Sequence, residues 1–134
     1  MTNECIIITG GTRGIGLATA IRYTEQNINI ILTYKSNLKF KNIAESKLKK
    51  IHNNFYIIMC DPDKKEELNK LKLYIKTNKL KVKTLINNQG STKYQKNNLN
   101  KIDINIFKEM IDKNLLNHLK MINLVLPYMK KGGS

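Results

Sequence analysis

The sequence predicts an α/β fold in which a parallel sheet is covered by helices, and two observations carry that prediction. The first is a series of short apolar runs: Glu4 to Ile8 (ECIII), Ile28 to Tyr34 (INIILTY), Phe55 to Met59 (FYIIM) and Val82 to Asn88 (VKTLINN). Runs rich in β-branched residues, without strict polar alternation, suit strands buried on both faces. The second is what separates them, since each gap holds a stretch with apolar residues at helical spacing. Strand, helix, strand, helix in that order is the pattern of a parallel sheet built by crossover connections.

After the first strand comes Thr9-Gly10-Gly11-Thr12-Arg13-Gly14-Ile15-Gly16. A strand, a glycine-rich turn and a helix N-terminus bring free backbone N–H groups and the positive end of a helix dipole to one point, which attracts a pyrophosphate. Gly10 lets the chain turn tightly, Gly14 removes a side chain where phosphates approach, and Gly16 allows close packing of the helix. The spacing Gly-x-x-x-Gly-x-Gly differs from an ATPase phosphate loop, because Leu17 stands where that loop needs a lysine. It also differs from Gly-x-Gly-x-x-Gly, because Thr19 takes the last place. The helix that follows is expected to set Leu17, Ala18, Ala20 and Ile21 against the sheet.

This turn, behind an Ile-rich strand, resembles the cofactor signature of the short-chain dehydrogenase/reductase family, and within it that of the 3-oxoacyl-acyl-carrier-protein reductases. The resemblance implies a Rossmann-type doubly wound parallel sheet with strand order 3-2-1-4. Members of that family are roughly twice as long, with about seven strands. The 134 residues are therefore expected to form one incomplete nicotinamide-cofactor domain, 1–134, that stops before a fifth strand.

The second strand ends at Lys35-Ser36-Asn37, about 20 residues beyond the glycine turn, where a dinucleotide fold reads the adenosine ribose. An acidic residue there would favour NAD, and none is present. Lys35 offers an ammonium, Ser36 a hydroxyl and Arg13 a guanidinium to a 2'-phosphate, so NADP(H) is the expected cofactor. In the resembling family a basic residue at either position marks that preference. The next helix, Lys39 to Lys50, is expected to turn Leu38, Ile43, Ala44 and Leu48 inward, with His52 capping it or exposed. The third strand ends at Cys60-Asp61-Pro62, and the resemblance assigns Asp61 to the adenine amino group, with a helix N-cap as its competing role.

Lys64 to about Thr77 has Leu68, Leu71 and Ile75 at helical spacing. The fourth strand runs into Asn87-Asn88-Gln89-Gly90, similar to the family's Asn-Asn-Ala-Gly, with Asn88 and Gly90 expected near the cofactor ribose and Gln89 replacing the usual alanine. Ser91 to Lys101 reads as a polar loop. From Asp103 a long helix is predicted, with Ile104, Phe107, Ile111, Leu115, Met121, Ile122 and Val125 on one stripe. Asn114 lies on that stripe. It is either a buried amide satisfied by nearby backbone or, as the resemblance implies, the helix asparagine that orders a water in the proton relay. His118, one turn further on, reads as packing or interface.

The net charge of +14 comes mostly from lysines spread along the chain, which reads as solvated helix faces and argues against nucleic acid as partner. The same charge leaves room for a landing surface for an acidic acyl-carrier protein or for cofactor phosphates. Cys5 and Cys60 have no metal or redox spacing and read as reduced core residues. No signal peptide and no apolar run of transmembrane length is seen, so a cytoplasmic location without membrane contact is expected.

In the resembling family the reaction is hydride transfer between nicotinamide and a carbonyl or alcohol carbon, with Ser, Tyr and a Lys four residues after the Tyr. The residues four positions after Tyr23, Tyr34, Tyr56, Tyr74, Tyr94 and Tyr128 are Asn27, Leu38, Cys60, Asn78, Asn98 and Gly132, none of them lysine. The expectation is the cofactor half of an NADP(H)-dependent 3-oxoacyl thioester reductase, a homo-oligomer at full length, with Asn114 as its one catalytic-site member. The alternative is a non-catalytic nucleotide-binding or interaction module.

Overall fold

A computed structural model describes residues 2–92 and 102–129. Four strands, β1 (Glu4–Ile8), β2 (Asn29–Tyr34), β3 (Phe55–Met59) and β4 (Lys81–Ile86), form one sheet in the order β3-β2-β1-β4. All three neighbouring pairs are parallel. Between them lie α1 (Gly14–Tyr23), α2 (Leu38–Lys49) and α3 (Lys65–Thr77). After β4 come α4 (Ile104–Ile111), a five-residue π turn (Asp112–Leu116) and α5 (Asn117–Val125), closed by a 3-10 turn at Leu126–Tyr128.

Because side chains alternate across a strand, the two faces of the sheet draw on alternate residues of the same runs. Ile6 and Ile8 of β1 join Ile30 and Leu32 of β2 on one face, where Ala20 of α1 and Leu48 of α2 cover them. Cys5, Ile7 and Ile31 point to the other face, where Leu71 and Ile75 of α3 and Met121 and Val125 of α5 close over them. Both cysteines are buried and unpaired. Burial pushes the Cys5 thiol up to about 12. Cys60 is pushed up to about 12 by burial, then by the carboxylates of Glu67 and Asp61. Both thiols stay protonated, as reduced core residues should.

Several inward-facing expectations are corrected. Ala18 is exposed, because α1 sets only Gly16, Leu17 and Ala20 fully against the sheet. Leu38 and Ile43 are exposed, while Ala44 and Leu48 are buried, since a two-layer contact leaves α2 a narrow stripe. His52 is half-buried and its Nε2 lies 3.0 Å from the Ile28 carbonyl, tying the end of α2 to the start of β2. The long helix after Asp103 is interrupted: the amide of Asn117 donates to the carbonyl of Asp112, five residues back. Of its expected stripe only Met121 and Val125 are fully buried, whereas Ile104, Phe107, Ile111 and Leu115 are exposed. The outer edge of β4 is not wholly bare, because Met129 forms a parallel bridge to Val82. The expected polar loop lies mostly outside the described residues, as do Lys130 to Ser134.

Candidate functional site

The carboxyl ends of β1, β2 and β4 open onto a cleft of about 610 Å³ lined by the glycine turn, by Tyr34 to Asn37, by Phe40 and Pro62, and by Asn88 to Ser91. In an open parallel sheet this is where the strand order reverses, β1 sending its crossover to β2 on one side and meeting β4 on the other.

The turn is built by backbone geometry. Gly10 (φ +62°) and Gly14 (φ +52°) occupy the left-handed region. A Cβ on Gly14 would meet nothing within 4 Å, so the space beside it is open. A Cβ on Gly16 would sit 2.5 Å from the Gly10 carbonyl and 2.6 Å from Asn88 Nδ2, so the first turn of α1 rests directly on the loop. The first bond of α1 runs from the Leu17 N–H to the Arg13 carbonyl (3.1 Å), leaving the N–H groups of Gly14, Ile15 and Gly16 at the helix start without an intrahelical partner. The Gly11 N–H is committed to the Thr33 carbonyl (3.0 Å). A left-handed glycine pair, open space and unspent helix amides together fit a pyrophosphate.

Asn88 braces this cradle from β4. Its Nδ2 donates to the carbonyls of Thr9 and Gly10, both at 3.1 Å. The buried Thr9 hydroxyl accepts the N–H groups of Asn88 (3.0 Å) and Gln89 (3.1 Å), and it approaches the Ile86 carbonyl at 3.4 Å. His118 Nε2 lies 2.7 Å from the Gln89 carbonyl, so this residue fixes the segment after β4. Asn114 sits in the π turn and is half-buried, its Nδ2 donating to the Ser91 carbonyl (2.8 Å) and its Oδ1 accepting the Ser91 N–H (2.9 Å). Gly90 permits that approach, since a Cβ there would stand 3.1 Å from Asn114 Oδ1. The side-chain oxygen of Asn87 is buried without a hydrogen-bond partner among the described residues.

The other wall is charged. Lys35 Nζ lies 3.3 Å from Oδ2 of the buried Asp61. Asp61 Oδ1 accepts the Asp63 N–H at 3.1 Å, and the N-cap of α3 is Lys64, so the N-cap alternative for Asp61 is corrected to an Asx turn. The buried Glu67 accepts the Asp61 N–H (2.6 Å) and pairs with Lys64 (3.3 Å). Asp63 takes Lys113 of the π turn and Lys120 of α5 as partners, Lys120 at 3.1 Å. The Lys113 hydrogen bond, helped by that of Lys120 and opposed by burial, holds the Asp63 carboxyl down at about 2. Arg13 extends over the Phe40 ring, its guanidinium carbon 5.1 Å from the centroid.

A family model for short chain dehydrogenases matches residues 4–134. The chain belongs to the short-chain dehydrogenase family. Among its relatives, the very-long-chain 3-oxoacyl-CoA reductase of Rattus norvegicus is 30% identical over 94% of this chain and 40% of its own length. The polyprenol dehydrogenase of Homo sapiens is 28% identical over 96% of this chain and 38% of its own. The solved NADH-dependent reductase A1-R', complexed with NAD, superposes with a TM-score of 0.77 at 26% identity, covering 93% of this chain and 51% of that one. This short-chain dehydrogenase chain thus spans less than half of those two curated relatives and about half of the solved one.

Of the residues singled out in the sequence, Gly10, Thr12, Arg13, Gly14, Ile15, Lys35, Ser36, Asn88 and Gly90 line the cleft. Gly11 and Gly16 stand behind it as packing glycines, Asp61 lies under Lys35, and Asn114 reaches it through Ser91. Sequence reasoning missed Thr9, Glu67, Phe40 and the Asp63 cluster. An acid at Glu67, in the first turn of α3, was a visible helix signal, but its target at Asp61 was not. Thr9, a polar residue ending an apolar strand, was the visible trace of the brace.

Proposed function

We propose that this chain is the cofactor-binding part of an NADP(H)-preferring oxidoreductase acting on a 3-oxoacyl thioester carbonyl. The observation that carries the cofactor reading is the placement of Arg13, Lys35 and Ser36 on one cleft with the glycine turn, with no carboxylate on β2's end itself. A carboxylate there accepts the ribose hydroxyls of NAD, whereas cations and hydroxyl donors suit a 2'-phosphate. Asp61 tempers this by engaging Lys35, so Arg13 is the stronger phosphate ligand. When bound, the cofactor supplies the hydride. The chain's own residues hold its phosphates at the turn and keep Asn88, Ser91 and Asn114 fixed along the other wall.

The thioester reading rests on the 3-oxoacyl-CoA reductase among the relatives. Acyl-carrier protein as the donor of substrate, self-association of the full-length form, and a cytoplasmic location belong to the same proposal. Among the described residues no helix is long and apolar enough to cross a membrane.

Calorimetric titration separates the parts of this proposal. NADPH is expected to bind at least several-fold more tightly than NADH, and Gly14→Val is expected to abolish binding of both by filling the open space at the turn. Equal affinities, or a preference for NADH, would overturn the assignment of Arg13 and Lys35. An assay of the 134-residue chain with NADPH and a 3-oxoacyl thioester is expected to show no turnover.

A further inference from the structure

We propose that Phe40 is a positioning residue that makes Arg13 the selector for a phosphate-bearing adenosine ribose, a step that rests on the NADP(H) reading above. Arg13 and Phe40 both line the cleft, and the guanidinium carbon stands 5.1 Å from the ring centroid. Phe40 is itself fixed: it is half-buried in the first turn of α2, and its N–H donates to the capping side chain of Asn37 at 3.1 Å. The end of β2 and the start of α2 therefore present an aromatic face to the glycine turn.

The chemistry of that contact decides what Arg13 can still do. A guanidinium held over an aromatic ring is attracted by the ring's quadrupole without using up its N–H donors on an acceptor, so they remain available for a bidentate contact with phosphate. Held this way, the side chain also gives up less rotamer freedom when the phosphate arrives. A carboxylate partner would orient the group equally well but would consume the donors and repel the anion. The chain's other arginine shows that arrangement, Arg22 pairing with Glu25 at 3.1 Å on the outside of α1. Among the described residues no ion pair engages Arg13. Lys35, the second cation of the cleft, is drawn 3.3 Å from Asp61. The ring thus orients the one lining cation that, among the described residues, no carboxylate has claimed, since Lys113 is paired with Asp63.

The test compares 2',5'-ADP with 5'-AMP as probes, by calorimetry on the 134-residue chain, since they differ only in the 2'-phosphate and neither carries a nicotinamide. In Phe40→Leu the preference for 2',5'-ADP is expected to fall about two- to fivefold, the strength of an exposed cation–π contact, with 5'-AMP affinity unchanged. Phe40→Trp is expected to restore the preference. Arg13→Lys, which keeps the charge and loses the planar face, is expected to lower it without disturbing α2, and it decides the matter if Phe40→Leu does not fold. A wild-type chain with no preference between the probes overturns the NADP(H) reading itself. A wild-type preference that survives in a folded Phe40→Leu, or a loss equal for both probes, overturns the role of Phe40 and leaves that reading standing.

Discussion

The glycine turn and helix α4 are both rich in sequence signal, yet one is packed from behind by its own chain and the other faces solvent. Around the turn, Gly16 meets the Gly10 carbonyl, Asn88 donates to Thr9 and Gly10, and Leu32 packs behind Gly11. Along α4, Ile104, Phe107 and Ile111 recur at helical spacing and none is buried. A glycine motif describes a constraint that the chain itself satisfies. An apolar stripe describes only a demand for cover, and its spacing does not say which surface supplies it.

The largest break in this contrast comes at Gly16. Its substitution by alanine puts a methyl 2.5 Å from one anchoring oxygen and 2.6 Å from the Asn88 amide nitrogen, neither at the end of a flexible side chain free to swing aside. A loss of about 1–3 kcal/mol in urea unfolding is expected, together with loss of nucleotide binding. A variant as stable as wild type would show that the turn and α1 are not in contact.

An intermediate effect tests how the α4–α5 segment is fastened to the rest. Asp63, joined to Lys113 and Lys120, titrates at about 2 instead of 3.8. A folded-state value below the unfolded one means that its stabilisation is complete above 3.8 and fades as pH falls toward 2. Asp63→Asn should therefore lower the urea midpoint at pH 6 and leave it nearer wild type at pH 2. The partners are partly exposed, so added salt should shrink the difference at pH 6. A wild-type-minus-variant gap that does not change with pH would show that the cluster is not a fastening.

Phe107→Ser should do least, shifting stability by no more than about 0.5 kcal/mol, because the ring already faces solvent. A cost of 2 kcal/mol or more would place a covering surface over α4 in solution and erase the contrast with the turn.

The same contrast explains what could be read in advance. The four strands were legible, because runs such as Cys5 to Ile8 and Ile30 to Leu32 are buried on both faces and leave little choice of structure, while their order was legible only through the family resemblance of the glycine turn. Leu38 and Ile43 were misplaced, because propensity and spacing do not tell how wide a stripe α2 can bury against a sheet edge. The π turn was invisible, and so was the partner of its Asn114, which meets the backbone of Ser91, a residue that helical spacing does not connect with it. Lys35 looked like a free cation until the fold brought Asp61 beneath it. Pairings between distant strands are set by topology, and single residues carry little trace of them.

The Thr9 hydroxyl has a consequence in time as well as in space. It accepts the amide protons of Asn88 and Gln89, residues far from it along the chain, the Asn88 proton being shared with the Ile86 carbonyl at 3.0 Å, so exchange of the Gln89 proton with deuterated solvent requires that oxygen to let go. Its backbone belongs to the end of β1, where its own N–H is bound to the Ile86 carbonyl at 3.0 Å. The end of β4 and the glycine turn are therefore expected to open as one unit, and hydrogen exchange at the Asn88 and Gln89 amides should slow when a nucleotide occupies the cleft that these residues line.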